Sequence, residues 1–288
     1  MQLFFQDLVN GILTGGILAL VALGFSLVWG IMNIINLAHG AFLLLGAYVT
    51  YQMFTSFHLD PFASIPIAFI VLFALGYLIQ RYIINFVVRA PVLTTFLLTF
   101  GLSLLLVNVI LLIWTGDTRA VTPAYSGSNF ALGGVTIPIV KLLTLVVALV
   151  ITALAQLWLA GTKMGRAVRA TAMDVGAAQL SGVKVAQIYA IVFGLSAGLA
   201  GAAGSLVSVS FAFSPSSGDA FLIKGFIVCV LGGLGSVQGA LVGGLVYGIV
   251  ETFASQYIGT GYADAVALIV LLLVLIFRPT GIMGRALA

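Results

Sequence analysis

The chain has 288 residues, 62% of them hydrophobic and only 6% charged, with a formal net charge of +4 and a mean hydropathy of +1.27. Soluble domains carry about a quarter charged residues, so this composition excludes one, and the charge is too small and dispersed for a nucleic-acid partner. Apolar runs of roughly 20 residues recur along nearly the whole length, as in a helical membrane protein and unlike the short alternating strands of a barrel. The sequence therefore predicts an all-α, polytopic helical protein: one transmembrane domain over residues 1–288, with about 8–10 spans, some broken or re-entrant.

In chain order, the N-terminal MQLFFQDLVN lacks a basic region, so the first helix is expected to be retained rather than cleaved as a signal peptide. Spans are expected over 8–29, 38–57, 62–85, 92–114, 139–160, 187–211, 221–235, 238–257 and 263–278. A short break, GIMNIINLAHG, separates the first two. Residues 115–138 are rich in Gly, Ser, Thr and Pro and read as a loop. A basic, helix-forming loop fills 161–186. Within 221–257 the stretch GGLGSVQG reads either as the turn between two passes or as a break with a re-entrant segment; Gly-interrupted short segments point to translocation sites. Cys229, the single cysteine, lies in an apolar run and is expected to be a buried, inert thiol.

Cations set the orientation. Arg81 and Arg89 flank one loop, Lys163, Arg166, Arg169 and Lys184 lie in 161–186, and Arg278 and Arg285 close the chain. The positive-inside rule places these regions in the cytoplasm, hence the C-terminus inside and the N-terminus outside.

Glycines four apart, such as Gly11 and Gly15, Gly194 and Gly198, or Gly239 and Gly243, suit close helix packing within the chain, with a dimer contact as the lesser reading. Asn33, Asn36 and His39 at the first break either cap helix ends at the membrane surface or line a pathway. Glu251 is the only glutamate and is expected to snorkel near the outer end of a span. Asp7, Asp60, Asp117, Asp219 and Asp264 fall at span ends or in outer loops, which argues against ion coupling. The chain has no GxxxxGK[ST] loop for ATP, no metal-spaced His/Cys cluster and no nucleophile–base pair. No catalysis and no bound cofactor is expected.

Within the 161–186 loop, residues 164–181 predict one or two short helices; a helix there presents Arg166, Arg169, Ala170, Met173, Ala177 and Leu180 as a small, apolar stripe edged by cations, ended by Gly182. It can lie on anionic headgroups or dock on a protein, and alanines are poor membrane anchors, which favours docking.

Four segments then carry a resemblance: GIMNIINLAHGAF at 30–42, MGRAVRATAMDVGAAQLSGVKV at 164–185, KGFIVCVLGGLGSVQGALVGGLVYGIVE at 224–251 and RPTGIMGR at 278–285. The chain resembles the LivH-type permease subunits of branched-chain amino acid ABC importers. The resemblance implies a related, LivM-like permease partner, two cytoplasmic ATPase subunits that bind the ATP, an extracytoplasmic binding protein, and a place in the cell inner membrane. It also implies that Gly165, Arg166, Arg169, Ala170, Asp174, Ala177 and Gly182 form the ATPase-coupling loop. The candidate translocation path comprises Asn33, Asn36, His39, Gly232, Gly233, Gly235 and Ser236. Ala41 and Met173 depart from the family pattern. Urea, amides or other neutral amino acids are the alternative cargos, and an ATP-independent channel or facilitator is the alternative mechanism.

Overall fold

Every expected apolar run is a helix in the computed structural model, which describes residues 2–88, 90–132 and 134–284. Arg89 and Arg285, two of the cations used for orientation, lie outside the described residues. The helices are α1 (Gln2–Met32), α2 (His39–Phe57), α3 (Pro61–Tyr82), α4 (Val92–Trp114), α5 (Ile139–Gly161), α6 (Lys163–Met173), α7 (Val175–Leu180), α8 (Val185–Ser210), α9 (Gly218–Gly232), α10 (Val237–Tyr257) and α11 (Ala263–Phe277). Among the described residues, seven are long and apolar enough to cross a membrane. The two remaining spans are α2, diluted by polar residues, and α9, whose 15 residues reach only about 22 Å against the roughly 30 Å of a hydrocarbon core.

The fold is not wholly helical. β1 (Asn129–Leu132) and β2 (Val135–Pro138) form an antiparallel hairpin in the loop expected over 115–138. Its sequence signal was present, since a GG dipeptide between short β-prone runs favours a hairpin. The Gln6 side chain pairs with Thr136 like a third strand, donating to its carbonyl and accepting from its N–H, both at 2.8 Å. Further along the same loop, Arg119 exchanges backbone hydrogen bonds of 2.8 and 2.9 Å with Phe213. This contact holds the connection between α8 and α9 against the bundle.

α1 and α8 are buried over nearly all their length, whereas α4, α5 and α11 turn Leu, Ile and Phe outward. A helix apolar all round must be covered by protein or by lipid, and the two groups represent those two cases. No hydrophobic effect drives helices together in lipid, so contact depends on how closely backbones approach. Gly194, Gly198 and Gly201 of α8 lie against α3, and Gly11 and Gly15 of α1 against Gly244 and Gly248 of α10. The pairings across α3 and α8 are antiparallel, so Arg81 falls near the start of α8. Gly30 meets Gly235, and Ile282 donates to Leu231. The ends of α1, α3 and α11, the α9–α10 turn and the α6–α7 loop therefore share one end of the bundle, which gathers the cations Arg81, Lys163, Arg166, Arg169, Lys184 and Arg278.

The tightest approach is between α8 and α2. A Cβ at Gly204 would run into the carbonyl oxygen of Leu43 and the N–H of Ala47. Gly204→Leu should abolish stable folding, because backbone cannot yield as a side chain can, and overpacking alone costs about 1–3 kcal/mol. Gly101→Leu, which meets nothing within 4 Å, should leave the melting temperature in detergent unchanged. Paired fluorescence-detected thermal melts check both.

Candidate functional site

The 161–186 loop folds as two short helices, α6 and α7. Thr162 caps α6 by accepting from the Gly165 N–H at 2.9 Å. Gly165 is buried against the carbonyls of Trp158 and Leu159, leaving no room for a side chain. Asp174 breaks the helix and caps α7, its carboxylate accepting from the Ala177 N–H at 3.0 Å. Gly182 terminates α7 with a φ of +83°, where glycine carries no Cβ penalty.

Arg169 donates to the carbonyls of Leu159 and Ala160, and Arg166 reaches Gly161 at 3.5 Å. These are the unpaired carbonyls at the C-terminus of α5, where a positive charge also complements the helix dipole. The two arginines, both exposed, fasten the loop to the membrane helix before it. The exposed stripe is left to Ala170, Met173, Ala177 and Leu180, with Met173 at 89% and Leu180 at 92% exposure. Two apolar side chains so fully exposed on a basic, soluble segment are an unsatisfied surface.

The first break lies deep in the bundle. Its polar residues do not cap helices at the membrane surface, with the exception of Asn33, which is exposed and has a φ of 52°. His39 is fully buried, and its Nε2 lies 2.9 Å from the Val21 carbonyl of α1. Val21 is eleven residues from the end of α1, about 16 Å along the helix, so α2 starts inside the span. The non-helical residues 33–38 need partners there, because no water replaces a lost backbone bond. Thr99 of α4 supplies two, accepting from Leu37 N–H at 3.3 Å and donating to the Ile35 carbonyl at 3.0 Å, and Asn36 Oδ1 accepts from Ala38 N–H at 3.1 Å.

The second break is a turn. Gly233 and Gly235 have φ values of 110° and 78°, and Ser236 caps α10 by accepting from the Gly239 N–H at 3.0 Å. Gly232 packs against Gly239, which folds α9 and α10 into an antiparallel pair. Met283 donates to the Gly232 carbonyl at 2.9 Å. Gly232, Gly233, Gly235 and Ser236 thus form a closed turn under the C-terminal segment, at the α6–α7 end and far along α1 from His39. The structure brings Asn36 and His39 together and does not bring this turn to them.

Sequence reasoning missed Lys224. It projects from the middle of α9 and pairs with Glu251 of α10, and its Nζ is 3.5 Å from Asp264 of α11. The Tyr247 hydroxyl donates to Asp264 at 3.1 Å. Glu251, expected to snorkel, instead has a side chain only 16% exposed. The available signal was a lone lysine inside an apolar span, which in lipid requires a partner. Among the described residues no group of His, Cys, Asp and Glu could hold a metal.

This is the architecture of a multi-pass membrane transport subunit: discontinuous helices around a buried polar junction, with a soluble loop offered at one end. Residues 8–277 match the family described as the branched-chain amino acid transport system, permease component, and the chain belongs to that family. It is 34% identical to the high-affinity branched-chain amino acid transport system permease protein BraD of Pseudomonas aeruginosa, over 98% of this chain and 96% of the relative. The corresponding LivH protein of Escherichia coli is 31% identical over the same shares. A probable LivH of Methanocaldococcus jannaschii is 31% identical over 96% of this chain and 91% of the relative. No solved structure is a significant match.

The ion pair has a measurable consequence. Lys224→Met leaves Glu251 half-buried without its cation and should lower the melting temperature in detergent. The double variant Lys224→Met/Glu251→Gln removes both charges and should recover most of the lost thermal stability. A double-mutant cycle of melting temperatures reads the coupling.

Proposed function

We propose that this chain is one membrane permease of an ATP-driven, binding-protein-dependent importer for the branched-chain amino acids leucine, isoleucine and valine. The relatives that cover nearly its full length are named for that transport. In this reading a second, LivM-like permease completes the path, two cytoplasmic ATPase subunits hold and hydrolyse ATP, and an extracytoplasmic binding protein delivers the cargo. The chain lies in the inner membrane with its N-terminus outside and its C-terminus in the cytoplasm, as the cations gathered at one end favour. It supplies no nucleotide site and no catalysis of its own.

The α6–α7 element carries the mechanism. Its outer stripe is the surface offered to the ATPase, while its inner arginines and Gly165 lock it to α5. Motion of the docked ATPases therefore reaches α5 as a rigid displacement. Closure of the ATPase dimer biases the permease pair between outward- and inward-facing states only through different contacts in the two states. Cargo selectivity on the path comes from few contacts, because affinity resides in the binding protein.

The reading is tested by leucine uptake in cells lacking the chain and in cells with it restored, using valine, alanine, glutamine and urea as competitors. Restored uptake that valine blocks best supports it, and transport of urea or another neutral solute instead would reassign the cargo.

The docking stripe gives a second expectation. Leu180→Asp with Met173→Asp should cut copurification of the ATPase subunits at least tenfold and abolish uptake. The melting temperature of the isolated permease should stay unchanged, since both side chains touch little of it. Arg169→Glu, by contrast, should lower that melting temperature as well, because it places an anion on the carbonyls of Leu159 and Ala160.

A further inference from the structure

α9 begins inside the membrane thickness, and its second residue is an aspartate. Gly218 packs backbone to backbone against Gly40, the second residue of α2. From that level α2 runs outward for seventeen more residues to Phe57, about 25 Å. Measured the other way, Asp219 lies thirteen residues above the C-terminal end of α9 at Gly232, about 20 Å from the α9–α10 turn. Both measures put its carboxylate within the hydrocarbon depth. The sequence placed Asp219 at a span end, and so it is, but this span starts at depth.

Asp219 is exposed on the surface of the bundle. Among the described residues no hydrogen bond or ion pair reaches it, and Lys224, on another face of the helix, is taken by Glu251 and Asp264. An unpaired carboxylate at that depth is not stable against lipid and belongs on a wet cavity or opposite a cation. Ile223 and Phe226 follow on the same helical face, at 55% and 40% exposure, so α9 presents a carboxylate and then an apolar strip. Phe226 packs edge-on to Phe25, and Phe25 edge-on to His39. The exposed strip is thereby joined to the polar junction. There Asn36 and His39, at most 2% exposed, keep Nδ2 and Nδ1 without partners.

We propose that Asp219 lines the transport path and pairs with the ammonium group of the passing cargo, while Ile223 and Phe226 face its aliphatic side chain. The proposal rests on the cargo being an aliphatic α-amino acid, the class that carries a cation beside a branched hydrocarbon. It assigns the selectivity of the permease to one charge, distinct from the ion pair that fastens α9 to α10 and α11.

The test uses the full importer in proteoliposomes, with both permeases, the ATPases and the binding protein. Asp219→Asn should reduce leucine uptake per ATP hydrolysed at least tenfold, with subunit assembly and binding-protein-stimulated hydrolysis retained, and Asp219→Glu should keep most of the uptake. Normal leucine uptake by Asp219→Asn overturns the proposal. So does loss of subunit assembly in that variant, which would assign Asp219 to a cation on the second permease. A parallel measurement needs no cargo: Asp219→Cys in a Cys229→Ser background should react, in the assembled importer, with the membrane-impermeant quaternary reagent 2-(trimethylammonium)ethyl methanethiosulfonate. A thiol that stays unlabelled there places Asp219 away from water and overturns the assignment. If the wild-type importer carries no leucine, the functional reading fails, while labelling still decides whether Asp219 lines the path.

Discussion

Irregular backbone in hydrocarbon needs hydrogen-bond partners, and side chains supply three of them to the six residues between α1 and α2. Thr99 serves both the Leu37 N–H and the Ile35 carbonyl, and Asn36 serves Ala38. Once those bonds are made, α2 can start at the depth of Val21. Its early start leaves a gap in the helical layer that α9 fills from the other direction, Gly218 against Gly40. The two short spans are therefore one arrangement, and the glycines at their crossing are what let backbone meet backbone.

The same economy governs charge. Lys224, Glu251 and Asp264 come from three different helices and form one network with Tyr247. The network joins α9 to the α10–α11 pair. α9 is thus held at its far end by a turn, at its middle by an ion pair, and at its start by glycine contact. Each fixes a different point along 15 residues.

At the loop end, Arg166 and Arg169 show how one basic segment serves two purposes. Their charges join the other cations at one end of the bundle, and their guanidinium groups close the C-terminus of α5. The apolar residues on the far side, Met173 and Leu180, are then free to be exposed. Rigid attachment on one face and an unsatisfied surface on the other are what a coupling element needs.

The sequence by itself determined the apolar helices, the basic loop at 161–186, and the family. All of these follow from local quantities: apolar length, helix breakers, and the order of four motifs. The β-hairpin was legible too and was passed over. Only the tertiary structure decided that His39 bonds α1, that Arg169 caps the end of α5, and that the glycine-rich turn lies away from the polar junction. It alone paired Lys224 with Glu251 and set Asp219 at depth. The reason is physical: depth and partnership depend on contacts between residues far apart in the chain, such as Gly40 with Gly218, and no window on the sequence contains both.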